Sequence, residues 1–209
     1  MEQLTHVDAA GAARMVDVSA KDASVRTATA SGRLRTTPTV VALLRSDGLT
    51  KGDAIAVARV AGIMGAKRTP DLVPLCHPIA LHSVTVDLEV VDDGVLIVAT
   101  TRTADRTGVE MEALTAVAIA GLALVDMVKA VDRGATLTDI RVDRKAGGRS
   151  GTWQRADSQD LERAADDAPT ADAPTADAPT ADSPTADSPT ADSPTADSPT
   201  ADSPTEGRP

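Results

Sequence analysis

The chain of 209 residues contains no phenylalanine and no tyrosine, and Trp153 is its only tryptophan. Proteins that bind single-stranded nucleic acid usually stack bases on aromatic side chains, so this scarcity argues against that class of function. The sequence therefore predicts no nucleic-acid partner. Its core must be built from valine, leucine, isoleucine, alanine and methionine, which bury less area per residue than aromatic rings do.

Cysteine is also scarce, since Cys76 is the only one in the chain. An intrachain disulfide and a metal site of several cysteines are therefore excluded. The N-terminal residues lack the pattern of a signal peptide. The longest apolar run, at 117–125, is shorter than the roughly 20 residues that span a bilayer. We expect a cytoplasmic protein with no membrane partner.

Charge is distributed unevenly along the chain. Thirteen acidic and two basic residues follow position 155, so this part carries a net charge of −11, whereas the whole chain carries −10. From Asp166 to Thr205 it consists of pentads, first Asp-Asp-Ala-Pro-Thr and then Ala-Asp-Ala-Pro-Thr and Ala-Asp-Ser-Pro-Thr. Such composition is typical of disordered segments. We predict one nearly neutral domain at 1–155 and a disordered acidic Pro/Thr/Ala/Asp repeat tail at 156–209.

Hydrophobic periodicity predicts that strands and helices alternate within the domain. Residues with β-branching or strict alternation predict strands at 14–18, 24–36, 81–91, 95–103 and 140–145. Apolar residues at helical spacing predict helices at 38–44, 53–67 and 109–131. The proline-rich connection 71–78 is expected to be irregular. These elements favour an α+β fold, a ferredoxin-like sandwich with an antiparallel or mixed sheet covered by helices.

Charged residues occur at both ends of the predicted helix 109–131, although its middle is apolar on nearly every side. Glu110 and Glu112 lie near its start, and Asp126 and Lys129 lie near its end. Both pairs have an ordinary structural explanation. Acidic residues stabilise a helix N-terminus, and opposite charges three residues apart form an ion pair.

Helix geometry separates these two groups of charges. Glu112 and Asp126 are fourteen residues apart, so their directions differ by about 40° but they are about 21 Å apart along the axis. One small-molecule site in one chain cannot easily include both. Either the substrate is long, or the two ends belong to sites shared with a neighbouring subunit. We favour an oligomer with composite sites.

Two loops supply further candidates. Cys76 and His77 are neighbours in an extended segment, where adjacent side chains point to opposite sides, so a nucleophilic Cys–His pair is not expected. His77 alone is compatible with a structural role, and no spaced partners support a metal site on the protein. The glycine-rich segment 145–151 has the composition of an anion-binding loop, and a solvated turn explains it equally well.

Several segments together resemble the family of cyclic pyranopterin monophosphate synthases, the MoaC type of molybdenum cofactor biosynthesis. The motifs that carry the resemblance are Lys51-Gly-Asp-Ala, Asp71-Leu-Val-Pro-Leu-Cys-His-Pro, Thr107-Gly-Val-Glu-Met-Glu-Ala-Leu-Thr, Asp126-Met-Val-Lys-Ala-Val and Lys145-Ala-Gly-Gly-Arg-Ser-Gly. A shorter motif, Met15-Val-Asp-Val-Ser, also belongs to it. These motifs are long and chemically unusual, so the resemblance is specific.

The resemblance implies a pyrophosphate-releasing lyase and supplies roles for individual residues. Its substrate would be 3′,8-cyclised 7,8-dihydro-GTP from an upstream radical GTP cyclase, and its product cyclic pyranopterin monophosphate. The family's acid/base aspartate falls on Asp126, and Lys129 and Lys51 would assist proton transfer. The family's substrate-binding segments fall on Leu75, Cys76 and His77 and on Met111 and Glu112, and its site lysines fall on Lys51, Lys67, Lys129 and Lys145. We expect Lys145, with Lys67 and Arg26, to hold the triphosphate. The family also implies a homohexamer, a trimer of dimers with active sites at subunit interfaces.

The implied chemistry suits these residue types. Rearranging a purine-derived ring requires proton transfers, which suit the Asp126–Lys129 pair. Forming the cyclic phosphate requires a sugar hydroxyl to attack the α-phosphorus while pyrophosphate leaves, and nearby cations stabilise the developing charge. No cofactor on the protein is expected, although Mg²⁺ could enter with the triphosphate. Two alternatives remain: a non-catalytic nucleotide-binding or regulatory module, and a structural homo-oligomer.

Overall fold

A computed structural model describes residues 6–7, 10–46, 48–49 and 53–156. Two of the sequence-based predictions fall outside this range. One is Lys51, which the resemblance assigns to proton transfer, and the other is the repeat tail, of which all but Ala156 lies beyond the described residues.

An antiparallel sheet forms the centre of the described structure. Its five strands are β1 (Ser24–Arg35), β2 (Leu81–Val91), β3 (Gly94–Asp105), β4 (Thr136–Ala146) and the short β5 (Trp153–Gln154). They lie in the order β2-β3-β1-β4-β5, and every neighbouring pair is antiparallel. β1, the first strand among the described residues, is therefore at the middle of the sheet.

Helices connect the strands and cover the sheet. The described residues contain α1 (Pro38–Arg45), α2 (Ala54–Lys67), the one-turn α3 (Thr69–Leu72) and α4 (Glu110–Val128). Pro38 suits a first helical turn. The Asp53 carboxylate caps α2, because it accepts a hydrogen bond of 2.8 Å from the Ala56 N–H.

The core lies between the sheet and the pair α2 and α4. Helix α4 packs over β1, β3 and β4, and α2 packs against α4 and β2. Leu34, Ile97 and Leu124 are fully buried between them. The two helices approach closely at Gly62, where an added Cβ would lie 2.9 Å from the Ala116 carbonyl oxygen.

The order β1-α2-β2-β3-α4-β4 is the β-α-β-β-α-β order of ferredoxin-like folds. The predicted α+β fold, with an antiparallel sheet covered by helices, is therefore confirmed. The strands predicted at 81–91 and 95–103 are β2 and β3, and they form a hairpin that turns at Asp92 and Asp93. Helix α4 ends at Val128, three residues earlier than predicted, and β4 begins four residues earlier, at Thr136.

The predicted strand at 14–18 is wrong. Its alternation is real, since Val16 and Val18 are less exposed than Met15 and Asp17. These two valines face a cavity, however, and residues 14–18 pair with no strand among the described residues. An isolated bridge between Val7 and Ala13 precedes them. Alternation with a period of two indicates that every second residue is buried. This occurs in a loop on the wall of a cavity as well as in a strand.

Helix α4 is long and apolar enough, by length and composition, to cross a membrane. Ala116, Val117, Ala120 and Leu124 on this helix are fully buried in the core. A core helix that is covered on several sides has the same composition as a membrane span.

Candidate functional site

A cavity of about 250 Å³ lies where four segments of the chain meet. These segments are the N-terminal region, the loop after α3, the turn after β3 and the first turn of α4. The lining residues are His6, Val16, Val18, Lys21, Leu75, Cys76, His77, Thr107, Gly108, Glu110, Met111 and Glu112. The structure thus brings together five predicted substrate-binding residues from two distant motifs: Leu75, Cys76, His77, Met111 and Glu112.

Two buried threonines on β3 hold opposite walls of this cavity. The Thr103 hydroxyl donates a hydrogen bond of 2.7 Å to the Ala80 carbonyl, at the end of the loop that carries Cys76 and His77. The Thr101 hydroxyl donates one of 3.0 Å to the Val109 carbonyl, directly before α4. Since both side chains come from one strand, β3 fixes the spacing between the two motifs.

His77 is held by the N-terminal region. Its Nε2 atom lies 2.7 Å from the Val16 carbonyl oxygen, which can only accept, so Nε2 carries the hydrogen. In the neutral ring Nδ1 is then the acceptor. Hydrogen bonds from Ser19, with a smaller contribution from nearby His77, hold the pKa of Asp17 below its ordinary value. The segment that was predicted as a strand is therefore the support of a cavity histidine.

Glu112 is a buried acid in the cavity wall. Only 3% of the residue is exposed, and its Oε2 atom has no hydrogen-bond partner among the described residues. Burial raises the pKa of Glu112 to about 7; its own backbone N–H opposes the rise, and the charge of Glu110 adds to it. A carboxyl with such a pKa can donate or accept a proton near neutral pH.

Cys76 lies close to this acid. Burial, together with the negative charge of Glu112, raises the pKa of the Cys76 thiol. A thiol with a raised pKa is a poor nucleophile at neutral pH, because the thiolate is the reactive form. This environment agrees with the expectation that Cys76 and His77 are not a nucleophilic pair.

A second, smaller cavity of about 10 Å³ adjoins the first, with Gly108 and Glu110 lining both. Arg26 and Lys145, which are predicted to hold the triphosphate, lie together in its wall. The Lys145 ammonium group donates a hydrogen bond to the Ser150 hydroxyl within the glycine-rich segment 145–151. Two predicted phosphate-binding cations therefore lie beside the cavity that contains Glu112.

The other predicted site residues lie elsewhere on the chain. Asp126 and Lys129 form an ion pair of 2.5 Å, and 59% of each side chain is exposed. Lys67 is the exposed last residue of α2. None of the three lines either of these cavities. Because α4 is continuous from Glu110 to Val128, the estimated 21 Å between Glu112 and Asp126 along its axis stands.

His6, Lys21 and Thr107 line the larger cavity and were not predicted as site residues. The motif Met15-Val-Asp-Val-Ser, which ends two residues before Lys21, was a usable signal for one of them. Within the described ranges, no group of three or more His, Cys, Asp or Glu side chains could hold a metal ion.

Comparison with known proteins connects this site to one family. Residues 15–148 match the model of the MoaC family. The chain is 66% identical over 155 residues to the cyclic pyranopterin monophosphate synthase of Streptomyces coelicolor, covering 74% of this chain and 91% of that protein. It is 65% identical over 156 residues to the protein of the same name from a Nocardioides species, covering 73% and 96%. Cyclic pyranopterin monophosphate synthase 2 of Mycobacterium tuberculosis is 60% identical over 153 residues, covering 73% and 92%.

Proposed function

Because the chain belongs to the MoaC family, we propose that it converts 3′,8-cyclised 7,8-dihydro-GTP to cyclic pyranopterin monophosphate and pyrophosphate. Its family makes it an enzyme of molybdenum cofactor biosynthesis that forms this product. One observation carries the finer proposal. Two motifs that are distant in the sequence, 75–77 and 111–112, meet at one cavity that contains a buried acid and adjoins two cations.

The cavity fits part of the substrate. At about 250 Å³ it is below the range of roughly 300–1,000 Å³ that is usual for drug-sized ligands. We assign it to the ring system and sugar, where His77 and Glu112 orient polar ring atoms. Lys145 in the adjoining cavity, together with Lys67, would bind the triphosphate and neutralise charge on the leaving pyrophosphate.

Proton transfer is assigned to the Asp126–Lys129 pair, with Lys51 assisting. The two groups are exposed in one chain, and water weakens the mutual effect of exposed charges. Leu122, one helical turn before Asp126, is also 58% exposed. An apolar residue beside a catalytic pair supports contact with a second copy, which would enclose the pair against the partner's cavity. The exposed pair and Leu122 support composite sites. The assembly that we propose, a homohexamer built as a trimer of dimers, is the one that the family resemblance implies.

The remaining proposals concern partners and location. The substrate would come from a radical GTP cyclase, and the enzyme would act in the cytoplasm without a cofactor held by the protein. Any Mg²⁺ would arrive with the triphosphate, whose oxygens are ligands that this ion prefers.

A direct assay tests the activity. Purified protein is incubated with the cyclised GTP intermediate, and pyrophosphate and the oxidised pterin are both measured. We expect the native chain to form pyrophosphate and the pterin in equal amounts. The D126N variant should bind substrate but lose at least about 100-fold in turnover, which is the usual contribution of a general acid or base. E89Q, which changes an exposed acid on β2, serves as the control. A native chain that forms neither compound contradicts the proposal.

A further inference from the structure

We propose that Arg26 is a positioning residue, which fixes Lys145 and the start of α4 relative to each other, and that it does not bind the triphosphate. This inference rests on the proposed function, because it assigns a role within the same site. It also revises the prediction that Arg26 holds the triphosphate.

The hydrogen bonds of Arg26 are directed at the backbone. Its Nε atom donates to the Asp105 carbonyl at 2.9 Å, and its Nη2 atom donates to the Arg106 carbonyl at 3.1 Å. Asp105 is the last residue of β3, and Arg106 follows it. Both come directly before the turn at Thr107–Gly108 that leads into α4. One of the two edges with which a planar guanidinium can bind phosphate in a bidentate manner is thus occupied by two neutral acceptors.

The other side of Arg26 contacts the glycine-rich segment. A Cβ on Gly148 would lie 2.1 Å from the Arg26 Nη1 atom, and a Cβ on Gly147 would lie 2.2 Å from the Val25 carbonyl oxygen. Both glycines have a positive φ. Only residues without a side chain can approach the Arg26 backbone and guanidinium this closely.

Arg26 therefore joins two parts of the site. Lys145 lies two residues before Gly147, the first glycine that packs on Arg26, and it pairs with Ala28 in the β1–β4 ladder. Gly108 and Glu110, which follow the two bonded carbonyls, line both cavities. Without Arg26, the cation of Lys145 and the acid of Glu112 would no longer be held at one separation. A displacement of about 1 Å can cost about 100-fold in rate.

Replacement by lysine distinguishes positioning from charge. R26K keeps the positive charge, but a single ammonium group cannot donate in the fixed fork geometry. We expect R26K and R26A to lose kcat similarly, by about 10- to 100-fold. The R144A variant, which removes an exposed arginine beside Lys145, should stay within about twofold of the native chain. Recovery of activity in R26K relative to R26A would show that charge is what matters, and would overturn the inference.

A double-mutant cycle tests the contact itself. In G148A the new methyl group should displace the guanidinium, whereas in G148A/R26A only the strain of the positive φ remains. We expect the two substitutions to be non-additive in kcat/KM, by about fivefold or more. Strictly additive effects would contradict a positioning contact. A role in stability alone would lower Tm and leave kcat of the folded enzyme unchanged, which would also contradict it.

A binding measurement keeps this test separate from the proposed function. Trp153 is the only tryptophan and pairs with Lys145 in the sheet, so its fluorescence can report binding of inorganic pyrophosphate. Positioning predicts equal loss of pyrophosphate affinity in R26A and R26K. If R26K restored the affinity for pyrophosphate, residue 26 would bind phosphate through its charge instead. If the native chain binds pyrophosphate but makes no product, the proposed function fails while this comparison remains valid.

Discussion

Burial of Glu112 affects stability as well as chemistry. Its pKa is about 7 in the folded chain, against an ordinary value of 4.5. Below the ordinary value the carboxyl is protonated in both the folded and the unfolded chain. As pH rises further, the unfolded chain ionises first, so the free energy of unfolding falls until pH exceeds the folded pKa. The total loss is about 3 kcal/mol, because each pKa unit corresponds to about 1.4 kcal/mol.

The E112Q variant should remove this dependence, since an amide does not titrate. We expect its free energy of unfolding, relative to the native chain, to increase by about 2 kcal/mol between pH 5 and pH 8. Urea unfolding at both pH values measures the difference, and E89Q is again the control because Glu89 is exposed. If the free energy of unfolding changed with pH in the same way in E112Q and the native chain, Glu112 would be ionised in the folded state. Turnover should fall in E112Q at every pH.

Connections between elements determine the shape of the site, and Thr103 shows how. Its hydroxyl donates the hydrogen bond that joins β3 to the loop that carries Cys76 and His77. The T103V variant keeps the size and β-branching of the side chain but leaves the Ala80 carbonyl unpaired. We expect about 1–3 kcal/mol of destabilisation and a higher KM, because the loop shifts relative to α4. Thermal unfolding and steady-state kinetics measure the two effects.

A matched control for T103V is T85V on β2, because Thr85 is exposed. It should leave both stability and KM close to native values. If T103V also left stability and KM close to native values, the hydrogen bond to Ala80 would not be what holds the loop.

Local patterns predicted the strands and helices well, because alternation and helical spacing are properties of neighbouring residues. They failed at 14–18, where a cavity rather than a sheet produces the alternation. They also missed β5, whose two residues are too short to show a pattern. The structural role of Thr101 and Thr103 was hidden for another reason. Threonine is an ordinary strand residue, and only the tertiary fold shows which carbonyl each hydroxyl reaches.

The residues of the site were predicted mainly from the family resemblance and only in part from local patterns. The resemblance identified Cys76, His77, Met111 and Glu112, and the structure brings them together. Helix periodicity alone placed Glu112 and Asp126 about 21 Å apart. The direction of the Arg26 side chain depends on packing against residues 105–106 and 147–148, which no local pattern contains. His6 and Lys21 were missed for the same reason.

At the scale of the whole molecule, composite sites have a measurable consequence. If Asp126 of one chain serves the cavity of another, the inactive variants D126N and E112Q should restore activity when they are mixed, dissociated and reassembled. In a two-chain interface, random pairing should recover about a quarter of native activity, since half the pairs are mixed and each has one intact site. Each variant treated alone is the control. No recovery in verified mixed oligomers would mean that each site lies within one chain.

The repeat tail should be dispensable for catalysis. All the residues discussed for the site lie before Ala156, and the match to the family ends at residue 148. Deleting residues 157–209 should leave kcat, KM and Tm within error of the full chain. Solubility should fall instead, because the deletion changes the net charge from −10 to about +1. A large loss of turnover would show that the tail takes part in the site.

The central position of β1 has a consequence for how the protein is made. Ser24 pairs with Asp105 and Thr27 pairs with Ala146, so the strand that leaves the ribosome first gains its second partner last. Contacts of such long sequence separation slow folding. The sheet can close only after the residues of β4 have been synthesised. Nascent chains that stop before Thr136 would leave one edge of β1 open, so they should be more prone to aggregate than the finished domain.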